Sequence, residues 1–162
     1  MRKLLILIIL VISITGHSQN RYHWDETINS EDGSILLLTS TMSPVNGVVY
    51  DEHESDKRKK KLSFEASYKN GVNNGFYKEW HENGYLKFEG NFKDGWEYGV
   101  QKIWHINGQL AFQGNFVKGK SDGLHKEWYE TGQLKSEKYW KKGKLISERC
   151  FDFSNNKIKC EY

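Results

Sequence analysis

Gly75-Phe-Tyr-Lys-Glu-Trp80, followed by His81-Glu-Asn-Gly-Tyr85, Leu86-Lys-Phe-Glu-Gly-Asn-Phe92 and, past Lys93, the pair Asp94-Gly95, is the stretch from which the architecture can be worked out. It returns 24 residues later from Gly99 to Gly119 and once more from Gly123 to Gly143. Gly75, Gly99 and Gly123 keep that spacing, as do Trp80, Trp104 and Trp128, Gly84, Gly108 and Gly132, and Leu86, Leu110 and Leu134. A fixed spacing at this many positions means that one small unit is copied along an axis. Each copy buries its apolar face against the next because none can do so alone.

Within a copy the chain reads as two alternating strands around a turn. Asn83-Gly84 is a strong hairpin signal, since a two-residue turn of the primed type needs positive φ at both central residues. Taking alternation outward from it, Phe76, Trp80, Leu86, Phe88 and Phe92 are expected on one buried face, with Val100, Trp104, Leu110, Phe112 and Phe116 as their counterparts. Trp80, Trp104 and Trp128 then read as core rings, because large aromatics dominate buried faces. Gly90 and Gly114 lie among these rings, where a missing side chain makes room for a neighbouring ring.

The opposite face is expected to be a mixed polar surface carrying Tyr77, Glu79, His81, Gln101, His105, His125, Tyr129 and Tyr139. From it, Tyr77, His81, His105, Tyr129 and Tyr139 are the candidate binding residues. Lys78, Lys102 and Lys126 repeat beside the tryptophans, about 9.5 Å apart if two strands separate them, with their stems over the rings and their ammonium groups in water.

The flanks follow from the same register. Leu62, Ala66, Tyr68 and Gly71 match the second half of an earlier copy, and Gly47-Val-Val-Tyr50 its displaced first half. The charged, apolar-free segment 51–61 is an inserted, solvated loop. The array therefore spans 44–146, preceded by a leader, 19–43, whose one strand is Ile35-Leu-Leu-Leu38. Residues 147–162 form a capping hairpin, with Asn156 where the repeat has Gly. Its Cys150 and Cys160, the two cysteines of the chain, are expected to be bonded, lying across the hairpin from each other if its loop is Ser154 to Asn156. Arg2 and Lys3 before the apolar run Leu4 to Ile14 mark residues 1–18 as a signal peptide. That run falls short of the about 20 residues needed to cross a bilayer, so no membrane span remains after cleavage. Loss of Arg2 and Lys3 from 24 basic side chains leaves them nearly balanced by 21 acidic ones. Such a balance argues against nucleic acid as a partner, which requires a strong positive field.

The segment Gly75 to Gly95 resembles the bacterial variant of the MORN repeat, a β-hairpin module. The resemblance implies stacked hairpins in an elongated single-layer antiparallel sheet and an interaction role, and it supplies no catalytic residues. Bacterial members of this kind are often labelled antitoxin components of toxin–antitoxin systems. An exported chain fits a cytoplasmic toxin badly.

The sequence contains no Gly-x-Ser-x-Gly elbow, P-loop, dinucleotide fingerprint or His-Glu-x-x-His. His81 and His105, one repeat apart, lie too far from each other to share an ion held at about 2.1 Å. Glu52, His53 and Glu54 stand in a loop with no apolar surroundings to exclude water. The reading is therefore an all-β, non-enzymatic repeat protein with no cofactor and no metal. It is exported to the periplasm or beyond and binds another protein at the cell envelope. The alternative is a module that holds a cell-wall polysaccharide or other carbohydrate on aromatic side chains.

Overall fold

The structure, a computed structural model, describes residues 19–54 and 61–160. The expected signal peptide, residues 55–60 of the inserted loop, and residues 161–162 of the cap lie outside the described residues. What is described is all-β and built almost entirely from one sheet.

The strands are β1 (Arg21–His23), β2 (Thr27–Asn29), β3 (Leu36–Leu38), β4 (Gly47–Glu52), β5 (Leu62–Lys69), β6 (Val72–Trp80), β7 (Leu86–Lys93), β8 (Trp96–Glu97), β9 (Gly99–Trp104), β10 (Leu110–Val117), β11 (Lys120–Ser121), β12 (Gly123–Trp128), β13 (Leu134–Lys141), β14 (Lys144–Phe151) and β15 (Lys157–Ile158). From β4 onward the strands β4-β5-β6-β7-β9-β10-β12-β13-β14-β15 form an antiparallel meander, with the short β8 and β11 against β7 and β10, so the 24-residue period becomes a two-strand step along the sheet. β1 joins the other edge in parallel with β4.

Two turn types alternate along the meander. Between units the central residues of Asn70-Gly71, Asp94-Gly95, Lys118-Gly119 and Lys142-Gly143 all have positive φ, the geometry of the primed two-residue turn. Within units the expected primed turn at Asn83-Gly84 is replaced by a longer one. Only Gly84 has positive φ, its amide donates to the His81 carbonyl, and the His81 amide donates to the Tyr85 carbonyl. This is a three-residue loop, a turn of type I closed by a left-handed glycine with an adjoining bulge.

That bulge changes the faces. Trp80 pairs with Leu86, but Glu79 pairs with Phe88, and the same slip recurs at Trp104 and Leu110 and at Trp128 and Leu134. Directly opposed residues share a face, so Phe76, Trp80 and Leu86 lie on one face while Phe88 and Phe92 lie on the other with Tyr77. The expectation of a single apolar face bearing all five is therefore corrected. Trp80, Trp104 and Trp128 are half-buried instead of enclosed.

The leader also departs from expectation. Residues 19–43 carry three strands, of which β2 and β3 form a separate two-stranded sheet. Leu36 is buried there against Val45 and Val49, with Tyr22, Leu38, Phe64 and Tyr68 packed around them. Among the described residues the buried apolar side chains, Leu36, Val45, Val48, Val49 and Ala66, all sit at this end. The leader thus encloses one end of the array, where an unshielded apolar face would otherwise meet water. At the other end Cys150 and Cys160 are bonded, with a Cα separation of 5.3 Å. Cys150 faces Ile158, two residues short of Cys160, and positive φ falls on Asn155, not on Asn156.

Candidate functional site

One face of the sheet is occupied by its own packing. Tyr77, Gln101 and His125 are one repeat apart, and each is opposed by a small residue of the preceding strand: Ala66 under Tyr77, Gly90 under Gln101, Gly114 under His125. A Cβ built at Gly90 would come within 1.5 Å of Gln101 Oε1, and one at Gly114 within 2.8 Å of His125 Cγ. Gln101 is 1% exposed and His125 5%, so two residues expected on a solvated surface are buried. Each is tied to backbone through one nitrogen: Gln101 Nε2 donates to the Asn91 carbonyl and His125 Nε2 bonds the Asn115 carbonyl, both at 2.9 Å, while Gln101 Oε1 is buried with no hydrogen-bond partner among the described residues. Rings fill the rest, with Tyr77 against Phe64, Phe88 and Phe92, and His125 against Phe112, Phe116 and Trp140. Burial pushes the Tyr77 phenol above its ordinary value, and its hydrogen bond to the Glu79 carboxylate and that group's charge push the same way.

His81 and His105 act as clasps between units. His81 Nε2 meets the Trp104 carbonyl and His105 Nε2 the Trp128 carbonyl, each at 3.0 Å, and His53 makes the same contact with the Trp80 carbonyl. Tyr129 stands where the next histidine would and donates its hydroxyl to the Phe151 carbonyl at 2.9 Å. Asn83 and Asn107 form a second series, donating to the Ile106 and Glu130 carbonyls at 2.7 Å. These groups answer backbone carbonyls at the loop edge, where the ladder between neighbouring hairpins has ended.

Of the five candidate binding residues, the structure therefore places Tyr77 within the packed face and His81, His105 and Tyr129 at the clasped edge. Tyr139 alone stands on the other face, 48% exposed. The five do not form one surface. Among the described residues no group of three or more His, Cys, Asp or Glu is arranged to hold a metal ion.

The other face is the open one. Across it runs a row of charges, one per strand: Glu65 opposes Lys78, Lys78 opposes Glu89, Glu89 opposes Lys102, Lys102 opposes Gln113, Gln113 opposes Lys126, Lys126 opposes Glu137 and Glu137 opposes Arg149. Lys78 and Glu89 are 3.2 Å apart, Lys126 and Glu137 3.0 Å, and Arg149 and Glu137 2.6 Å; Arg21 continues the row on Glu65. Beside it runs a second row, in which Phe76 opposes Asn91, Val100 opposes Asn115 and Leu124 opposes Tyr139. Val100 and Leu124 are each 46% exposed. An open cleft of about 780 Å³ lies between the rows, lined among others by Phe76, Lys78, Glu89, Val100, Lys102 and Gln113. Apolar side chains beside charged ones are suited to contact with another macromolecule.

Sequence reasoning placed Lys78, Lys102 and Lys126 on the face of Phe76 and Trp80, and the structure agrees. It missed their acidic partners, Glu89 and Glu137, because the bulge moves these to the same face. The signal that could have revealed this is glycine itself. Gly90 and Gly114 mark where a neighbouring side chain must lie, and counting across the ladder from them leads to Gln101 and His125.

A family model described as the MORN repeat variant matches residues 74–94 and 121–142, two of the hairpin units. No curated protein matches the chain. MORN repeats generally mediate interactions with proteins or membranes, and the all-β stacked-hairpin sheet is consistent with that module.

Proposed function

We propose that this chain is an exported, non-enzymatic repeat protein whose open sheet face binds another protein at the cell envelope. The observation that carries the reading is the row Phe76, Val100 and Leu124, equivalent positions of three successive units beside the charge row, of which Val100 and Leu124 are nearly half exposed and Leu124 is flanked by the equally exposed Tyr139. Apolar groups repeated at two-strand intervals with polar neighbours resemble the core and rim of an interface. Export is supported by the Arg2, Lys3 and Leu4 to Ile14 pattern and by the Cys150–Cys160 bond, a pairing at home in oxidising compartments. The antitoxin label that goes with bacterial relatives of this repeat is not adopted, because it would place the partner in the cytoplasm.

The test is a photo-reactive phenylalanine analogue placed at Leu124 on the open face, or at Ile103 on the packed face, in intact cells. A discrete protein adduct in the envelope fraction from Leu124 and not from Ile103 supports the reading. Adducts of equal yield from both, or a chain that stays cytoplasmic with its leader attached, refute it. An adduct composed of polysaccharide would favour the carbohydrate-binding alternative.

A further inference from the structure

The charge row has one missing member. Reading across the sheet, acid and base alternate strictly from Glu65 through Lys78, Glu89 and Lys102, and again from Lys126 through Glu137 to Arg149. Between Lys102 and Lys126 the alternation calls for a carboxylate, and the chain has the neutral Gln113. Repetition makes this an internal comparison, since Gln113 stands one repeat after Glu89 and one before Glu137, both of which hold a lysine. Lys102 is half-buried and makes no ion pair among the described residues. Gln113 likewise makes no side-chain hydrogen bond among them. The gap borders the 780 Å³ cleft and lies beside Val100.

Strand spacing puts Lys102 and Lys126 about 9.5 Å apart, so a carboxylate set above Gln113 would stand about 5 Å from each ammonium group. Cationic side chains held on a sheet recognise an anion without first being ordered, which lowers the cost of binding. The neighbouring Val100 and Leu124 require an apolar group next to that carboxylate.

We infer that the gap at Gln113 is the recognition point for a partner protein, and that the partner inserts an Asp or Glu side chain, flanked by apolar residues, between Lys102 and Lys126. This rests on the proposed function and names the chemistry of its partner. A carboxylate supplied by the chain itself would close the site.

The deciding variant is Gln113→Glu, with Gln113→Ala as the control that removes the amide without adding charge. Both are made in the full chain carrying the photo-reactive analogue at Leu124, and folding is checked by circular dichroism and thermal midpoint. The expected result is at least a tenfold loss of the protein adduct with Gln113→Glu and retention within about twofold with Gln113→Ala. Mass spectrometry of the wild-type adduct should find an Asp or Glu within a few residues of the cross-linked position. If the adduct forms but Gln113→Glu leaves it intact, or if the captured peptide carries no acidic side chain, this inference fails while the interaction face stands. If the wild-type chain forms no adduct at Leu124, both fail. Adducts to lipid or nucleic acid would also overturn it, since the anion would then be a phosphate.

Discussion

Gly114→Ala adds one methyl group and tests whether the packed face is held as described. Gly114 does not have positive φ, so the backbone accepts alanine and only the contacts resist it. The new Cβ would lie 2.6 Å from Phe112 Cζ and 2.8 and 2.9 Å from two ring atoms of His125, closer than carbon atoms pack. The His125 ring is not free to withdraw. His125 is 5% exposed, tilted against Phe116 at 5.0 Å, and tied through Nε2 to the Asn115 carbonyl. Overpacking of this kind costs about 1–3 kcal/mol, and a broken His125 hydrogen bond would add about 1 kcal/mol, so the expected loss is about 2–4 kcal/mol. Urea unfolding of the oxidised protein followed by circular dichroism measures it. In a His125→Ala background the same substitution should cost less than about 1 kcal/mol, because two of the three close contacts are gone and the vacated space lets the Phe112 ring shift away. A Gly114→Ala protein within about 0.5 kcal/mol of wild type would refute the reasoning, as would an equal cost in both backgrounds.

Removing the clasp with His105→Ala should cost about 1 kcal/mol, the net value of one hydrogen bond, and should speed amide exchange at Tyr129 and Gly132, whose amides close the next loop; exchange confined to His105's own loop would speak against a link between units. Tyr77→Phe should flatten the alkaline limb of the stability profile. The fold keeps the phenol neutral, so its contribution is whole below the unfolded value of about 10 and is lost as pH rises beyond it. Stability of Tyr77→Phe and wild type measured from pH 8 to 11 checks this, and parallel curves would contradict it.

How far the fold was legible in the sequence depends on which physical signal carried each part. The period, the strands and the interunit turns were readable because each leaves a residue that nothing else can replace cheaply: glycine at left-handed φ in Gly71, Gly95, Gly119 and Gly143, and alternating apolar residues between them. The faces were not, because facing is carried across a turn by loop length, and one extra residue reverses it. His81-Glu-Asn-Gly-Tyr85 contains the Asn-Gly pair of a two-residue turn, yet it closes as a three-residue loop whose bulge falls beside Lys87. The leader was opaque for another reason. Beyond the strand at Leu36–Leu38, its strands are three residues long, too short for alternation to register, and they are ordered by pairing, β1 with β4 and β2 with β3. The open face was legible as composition but not as an arrangement. Lys78, Lys102 and Lys126 announce themselves by spacing, whereas the absence of an acid at Gln113 has meaning only once Glu89 and Glu137 are known to share their face. A repeat shows what its units have in common. What one unit does differently becomes visible when the ladder says which side chains it should have met.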